Sequence, residues 1–102
     1  GLSSDLLHIC EASQVGVKLF TDKIPVSDSV KIDLALNGGE DYELCFTMPA
    51  KYASGFSHKL EKETTTKVTV IGEIIPQIQG RWLIDSAFKK SLLKVKGWDH
   101  FL

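Results

Sequence analysis

Two adjacent carboxylates, Glu40 and Asp41, directly follow the glycine pair Gly38 and Gly39. The next residues are apolar at every second position up to Met48, which is the period of a strand. The pattern predicts a strand over residues 42–48, with the two acids at its rim. Ligand-facing loops carried by a rigid strand often begin in this way. An ordinary tight turn with solvated acids is the alternative, and the pattern alone leaves it open.

The last residues place aromatic rings beside an acid and a histidine, in the order Gly97-Trp98-Asp99-His100-Phe101. An aromatic face such as Trp98 favours a flat or cationic ligand, because the ring quadrupole attracts positive charge. The alternative is that Trp98 is a hydrophobic plug that pins the tail to the sheet. His8 and His58 are predicted to lie on helices as structural or solvated residues.

Other catalytic and metal-binding patterns are missing from the sequence. No Walker-type glycine loop and no Gly-x-Ser-x-Gly elbow occurs. The acids that follow the glycine pair would repel a phosphate. Cys10 and Cys45 form no Cys-x-x-Cys motif and have no histidine at a ligand spacing. Both are predicted to be reduced, small hydrophobic residues, which fits a reducing cytoplasm.

Length and charge restrict the class of protein. A chain of 102 residues is expected to form one domain over 1–102, with a core that needs no metal or disulfide. With 12 basic and 13 acidic residues, no strong field attracts polyanions, so nucleic-acid binding is not expected. No apolar run approaches the roughly 20 residues that cross a bilayer, so no membrane contact is expected. A lysine cluster, at positions 89, 90, 94 and 96, is predicted to be the solvated face of a half-buried segment.

The apolar periodicity predicts an α+β domain, with helices packed on a mainly antiparallel or mixed sheet. Ser3 or Ser4 is predicted to cap the first helix and Gly16 to end it. Residues 30–36 fit the period of a strand, but the flanking caps favour a helix. Residues 81–85 are predicted to return after a turn as the hairpin partner of 67–75. The remaining predicted elements are strands over 15–19, 42–48 and 67–75 and a helix over 51–63.

Several segments occur together in an order that is similar to one enzyme family. They are Gly1-Leu2-Ser3-Ser4-Asp5-Leu6-Leu7-His8-Ile9, Ala12-Ser13-Gln14-Val15-Gly16-Val17, Ile24-Pro25, Gly38-Gly39-Glu40-Asp41-Tyr42-Glu43-Leu44, Ile71-Gly72 and Gly97-Trp98-Asp99-His100-Phe101. Nearly the whole chain resembles the C-terminal domain of the thiamine-monophosphate kinase family. The acidic segment combined with the aromatic tail is the specific part of this resemblance.

The resemblance implies a complete enzyme that transfers the terminal phosphoryl group of ATP, with Mg²⁺, onto thiamine phosphate. It also implies membership of the aminoimidazole ribonucleotide synthetase superfamily, whose N-terminal domain carries most nucleotide and metal ligands and pairs into a homodimer. The C-terminal domain of that superfamily is α+β and partly like a ferredoxin. On this basis the N-terminal domain lies outside the chain, which alone is expected to be inactive, without catalytic or metal-binding residues or bound cofactor.

The resemblance assigns substrate contacts to Glu40 and Trp98. The carboxylate of Glu40 suits the amino group and ring nitrogens of an aminopyrimidine. The ring of Trp98 suits the cationic thiazolium, although tyrosine is common at this position in the family. Five further residues match family positions and are expected to support the loop and tail: Asp5, Gly38, Gly39, Asp41 and His100.

Two alternatives remain open at this stage. One is another ATP-dependent enzyme of the same superfamily, of the selenophosphate synthetase or hydrogenase-maturation type. The other is a free-standing binding domain without catalysis. The gene sequence upstream of Gly1 would separate them. An acidic N-terminal half ending in Ser-Asp would support the kinase, and a start codon near Gly1 would rule it out.

Overall fold

A computed structural model describes residues 1–25, 29–37 and 44–94 of the chain. In these residues, helices pack against a four-stranded sheet that contains both parallel and antiparallel pairs. The predicted α+β class with a mixed sheet is therefore confirmed.

The first helix, α1, spans Leu2–Ser13 and differs from the prediction at both ends. Gly1 occupies the N-cap position and no side chain caps the helix there. Ser3 is 2% exposed and lies inside the helix, so the predicted serine cap is wrong. The helix ends at Gln14, whose φ of 54° lets its N–H group bond to the carbonyls of Cys10 and Glu11. Gly16 does not end the helix, because a strand has already begun at residue 15.

Four strands form the sheet in the described residues, in the order β2-β1-β3-β4. The central strand β1 covers Val15–Phe20, as the alternation of apolar residues predicts. It pairs antiparallel with β2, Gly72–Pro76, and parallel with β3, Arg81–Ile84. The last strand, β4, spans Lys90–Leu92 and pairs antiparallel with β3.

The predicted hairpin between residues 67–75 and 81–85 is wrong. β2 and β3 lie on opposite sides of β1, so that Val17 is opposite Ile74 in one neighbour and Arg81 in the other. The connection between them crosses the start of β1, where the Val17 N–H donates to the Gly80 carbonyl at 3.1 Å. Period-two patterns predict strands but do not specify their neighbours.

Within the predicted strand 67–75, pairing with β1 begins at a later residue than predicted. The first ladder contact is made by the carbonyl of Ile71, which accepts the Phe20 N–H at 2.8 Å. Upstream of it, the Val68 N–H donates to the Glu61 carboxylate at 2.9 Å. Residues 67–70 are therefore attached to the preceding helix and not to the sheet, and the predicted strand 67–75 is wrong in its first half.

The strand predicted over 42–48 is not present at residues 44–48, whereas 42 and 43 lie outside the described ranges. The predicted inward face is also reversed. Leu44 is 85% exposed and Phe46 41% exposed, whereas Cys45 between them is partly buried. Phe46 instead meets Phe56 edge to face, with ring centroids 5.5 Å apart and an interplanar angle of 79°. This aromatic contact attaches the segment to a helix.

Two more helices occur where the sequence predicts them. The helix α2 spans Ser29–Asn37, and it buries Leu36 while Ile32 and Ala35 pack against the core. The helix α3 spans Ala50–Thr64 and begins directly after Pro49. No residue of α3 is fully buried, so its apolar face is not covered within the described part of the chain.

The hydrophobic core lies between the helices and the sheet. It contains residues of α1, β1 and α2, together with Ile24, which follows the turn after β1, and Leu93, which follows β4. Its buried members are Leu6, Leu7, Cys10, Val17, Leu19, Ile24, Leu36 and Leu93. Burying an aliphatic side chain of this size contributes roughly 1.5–3 kcal/mol, so this cluster is the main source of stability for the fold.

Candidate functional site

Asp5 is the predicted site residue that falls within the described ranges. It lies in the first turn of α1 with an exposed side chain, and its N–H donates to the Gly1 carbonyl at 3.2 Å. A carboxylate is stabilised at this position because the helix dipole is positive at its N-terminus. The α1 helix thus presents an exposed carboxylate in its first turn.

The charge of Asp5 acts on the Cys45 thiol, although the two residues are far apart in the sequence. Burial raises the pKa of the Cys45 thiol, and the negative charge of Asp5 raises it further. The thiol also packs against the buried core cluster to which α1 contributes. The segment that follows the Gly38–Glu43 motif therefore contacts the core at Cys45.

Six predicted site residues lie outside the described ranges, and their roles stay predictions. They are Gly38, Gly39, Glu40, Asp41, Trp98 and His100. Cys45 is the residue that sequence reasoning missed, because it was predicted only to be a small hydrophobe. Its place in the sequence was the available signal. Cys45 lies two residues beyond Glu43 and alternates with Leu44 and Phe46, whose side chains are exposed.

A second charged group lies at the other end of α1. The Arg81 guanidinium on β3 forms an ion pair with Glu11, with Nη1 and Oε1 3.6 Å apart. Burial raises the pKa of the Cys10 thiol, and the positive charge of Arg81 partly opposes that rise. Cys10 is fully buried in the core, so this group of residues links α1 to the sheet and offers no open site.

The remaining candidates for chemistry are dispersed. His8 lies on α1 and His58 on α3, and both are exposed. In residues 1–25, 29–37 and 44–94, no three His, Cys, Asp or Glu side chains are placed to hold a metal ion. Of the predicted lysine cluster, Lys89, Lys90 and Lys94 are exposed around the buried Leu93, as predicted, whereas position 96 is outside the described ranges.

The Lys90 ammonium lies over the Trp82 ring, 5.2 Å from its centroid. Such a cation–π contact orders the lysine on the open face of β3 and β4.

Among the described helices, none is both long enough and apolar enough to span a bilayer.

Comparison with known proteins identifies relatives along nearly the whole chain. The family model described as AIR synthase related protein, C-terminal domain, matches residues 1–82. The thiamine-monophosphate kinase of Buchnera aphidicola subsp. Acyrthosiphon pisum (strain APS) is 42% identical over 99% of this chain and 33% of its own length. Those of Haemophilus influenzae and Pyrococcus abyssi are 37% and 32% identical, over 99% and 98% of this chain and 34% and 31% of their own lengths. The chain spans about a third of the length of these curated relatives.

Proposed function

The chain belongs to the family of AIR synthase related C-terminal domains, and from that membership we propose that it is the substrate-binding part of a thiamine-monophosphate kinase. The complete enzyme would transfer a phosphoryl group from ATP to thiamine phosphate and release thiamine diphosphate. The observation that carries the proposal is the similarity to proteins of that name along 98–99% of the chain, in bacteria and in an archaeon alike.

Glu40 and Trp98 are the proposed substrate contacts. The carboxylate of Glu40 would accept hydrogen bonds from the aminopyrimidine, and the ring of Trp98 would lie against the cationic thiazolium. Five residues would support them: Asp5, Gly38, Gly39, Asp41 and His100. The charge of Asp5 supports this scheme, because it acts on Cys45 in the segment that continues from the Gly38–Glu43 motif.

ATP and Mg²⁺ would be held by the part of the enzyme that this chain does not span. When bound, Mg²⁺ neutralises charge on the phosphates that are transferred and released. The described residues contain no carboxylate cluster that fits a metal ion, so we assign those residues no role in metal binding. We further propose that the full-length protein is a cytoplasmic homodimer and that its N-terminal domain is the direct partner of this chain.

Residues 1–102 would form a single domain that folds by itself, since its core is built from its own helices and strands. A cooperative thermal transition that a chelator leaves unchanged is the expected result. A gradual, non-cooperative melt of the purified chain would contradict this domain assignment.

The proposed activity is tested by measuring ADP and thiamine diphosphate with the full-length protein and with residues 1–102 alone. The full-length protein should form both products only when thiamine phosphate, ATP and Mg²⁺ are present together. The isolated chain should give no more product than the blank. A full-length protein that consumes ATP only with another acceptor would be a different enzyme of the superfamily, and one without any ATP-dependent activity would be a binding protein.

A further inference from the structure

The helix α3, Ala50–Thr64, is the element of the fold that its own chain leaves uncovered. No residue of this helix is fully buried. Among the described residues that form the core cluster or pack against it, none belongs to α3. The core is therefore built from α1, β1 and α2 with flanking residues, and α3 lies outside it.

α3 nevertheless has the sequence of a helix that packs against a partner. On one side, Ala53, Ser57 and Leu60 recur at helical spacing and are half-buried. On the adjacent side, Tyr52 and Phe56 are one turn apart and remain 58% and 39% exposed. A helix of about 15 residues is only marginally stable alone in water, so it depends on burial of its apolar face. The exposed rings therefore indicate a further packing partner.

Three exposed rings form one continuous surface, the aromatic patch, which consists of Phe46, Tyr52 and Phe56. Phe46 is 41% exposed and meets Phe56 edge to face, with ring centroids 5.5 Å apart. Tyr52 is the neighbour of Phe56 on the helix surface, because residues four apart lie on the same side of a helix. The Lys51 ammonium lies 5.0 Å from the centroid of the Tyr52 ring and leaves most of that residue exposed. Exposed apolar patches mark interaction surfaces, and aromatic residues are enriched at the centre of such interfaces.

The length of the related proteins indicates what covers the aromatic patch. α3 lies within residues 1–82, which match the family model, so it is part of the family domain and not an appended segment. The matched segment makes up 31–34% of the length of the thiamine-monophosphate kinases compared above. Most of each of these proteins therefore lies outside the domain that carries the uncovered helix.

A second copy of this chain is the other partner to consider, and the exposed area is too small for it. At about 250 Å² for each aromatic side chain, the exposed parts of the three rings amount to roughly 350 Å² in one copy. Two copies would then bury about 700 Å² through this patch, whereas a stable interface between separate chains needs about 1,200 Å² or more. An interface between domains of one chain can be as small as about 600 Å², because the linkage keeps the two domains at high effective concentration.

We propose that the aromatic patch on α3 is the surface against which the N-terminal domain of the full-length enzyme packs. This inference rests on the proposed function, which provides that domain. The three rings would form the apolar centre of the domain interface, and α3 would be buried in the full-length enzyme. The interface would hold the substrate-binding part of the enzyme beside the part that binds ATP and Mg²⁺.

Photo-crosslinking of the full-length enzyme tests this interface. Tyr52 is replaced by the photoreactive analogue p-benzoylphenylalanine, the protein is irradiated, and the linked peptides are identified by mass spectrometry. Phe88 receives the same replacement as the matched control, because it is 85% exposed on the turn between β3 and β4, away from α3. Formation of ADP and thiamine diphosphate by the unmodified enzyme is measured in parallel.

Position 52 should link to a peptide that lies outside residues 1–102, and position 88 should not. A link from position 52 to a peptide within residues 1–102, in the same or a second copy, would overturn the inference, as would the absence of any link. Equal yields from positions 52 and 88 would overturn it as well, because the contact would not be specific to α3. If the unmodified enzyme is an active kinase and position 52 gives no link, only this inference fails. If the link forms but thiamine phosphate is not phosphorylated, only the proposed function fails.

Hydroxyl-radical oxidation of the unmodified full-length enzyme gives a second measurement, in case the substituted proteins do not fold. The rate at each ring is divided by its rate in the denatured enzyme. Tyr52 should then be oxidised about fivefold or more slowly than Phe88, because the centre of an interface excludes water. A ratio that only follows the exposed fractions of 58% and 85% in this chain would overturn the inference.

Discussion

The main-chain carbonyl of Gly80 lies directly against Gly16, because the connection between β2 and β3 crosses the start of β1. A Cβ atom at position 16 would overlap that oxygen and would also lie 2.9 Å from the carbonyl oxygen of Pro76. Both obstacles are backbone atoms, which cannot rotate away as a flexible side chain can. A residue without a Cβ is therefore required where the crossing connection passes β1.

We expect Gly16→Ala to lower the free energy of unfolding by about 1–3 kcal/mol, the usual cost of overpacking. Gly55→Ala is the matched control, because no atom lies within 4 Å of a Cβ built at that position on α3. That change should raise stability by up to about 1 kcal/mol through helix propensity. Urea unfolding of the isolated chain measures both values. Equal stability of the two variants would contradict the crossing.

The strands and helices that depend on local periodicity could be predicted from the sequence. The helices α1 and α3 and the strand β1 lie where the spacing of apolar residues places them, whereas α2 lies where the flanking caps, and not the apolar spacing, predict a helix. The partner of β3 could not be predicted, because a turn after β2 is compatible either with a hairpin or with a crossing over a third strand. The crossing depends on the contact between Gly16 and Gly80, which are distant in sequence.

Side-chain orientation in segment 44–48 is a point at which the strand prediction was wrong. Alternation identified which residues share a face, but it did not identify the face that the fold buries. The structure instead directs Cys45 to the core and leaves Phe46 to contact Phe56. Tertiary neighbours decide which face of such a segment is buried. The effect of the Asp5 charge on the pKa of Cys45 depends on the tertiary fold and could not be predicted from the sequence.

The Asp5–Cys45 pair predicts a change in thiol reactivity. Replacing Asp5 with asparagine removes a negative charge that raises the pKa of Cys45, so a larger fraction of the thiol is ionised. We expect alkylation of Cys45 at pH 8 to accelerate about two- to fivefold, because the thiolate is the reactive species. Peptide mass spectrometry of iodoacetamide-treated protein measures the rate at each cysteine.

Asp22→Asn is the control for this experiment, since it removes an exposed carboxylate from the turn after β1. It should leave the rate at Cys45 unchanged. The fully buried Cys10 should be alkylated only as fast as the chain unfolds, in every variant. An Asp5→Asn variant with the wild-type rate at Cys45 would show that the Asp5 charge does not raise the pKa of that thiol.

The two thiols also predict how stability depends on alkaline pH. The pKa of Cys10 and that of Cys45 are both raised above the ordinary value of 9.0, mainly by burial. Their contribution to stability is complete below that pH, where both states are protonated. Above it the unfolded chain loses protons that the folded chain retains, so the free energy of unfolding falls as pH rises.

Denaturant unfolding between pH 8 and 10.5 measures this slope. The double variant Cys10→Ala/Cys45→Ala should be less stable throughout, because it loses buried packing, but its stability should fall less steeply above pH 9. Lysine and tyrosine titrate in both proteins, and the comparison of slopes removes their contribution. Parallel curves for the two proteins would contradict the raised thiol pKa values.

Substitutions at Glu40 and Trp98 in the full-length enzyme test whether these residues bind thiamine phosphate and not ATP. Glu40→Ala removes the proposed charge-assisted hydrogen bond, and Trp98→Ala removes the proposed cation–π contact. Each should weaken the interaction with thiamine phosphate by about 1–3 kcal/mol. The apparent affinity for ATP should stay nearly constant, because neither residue is proposed to contact the nucleotide. Steady-state kinetics with each substrate varied in turn gives the two KM values.

The conservative variants distinguish a ligand contact from a structural role for Glu40 and Trp98. Trp98→Tyr keeps an aromatic face and should retain most of the activity, whereas Trp98→Leu keeps only apolar bulk and should resemble Trp98→Ala. Glu40→Gln keeps the shape of the side chain but loses its charge, so it should weaken thiamine phosphate binding without lowering the melting temperature. If these residues only supported the fold, the losses would follow stability and would affect the KM values for both substrates equally.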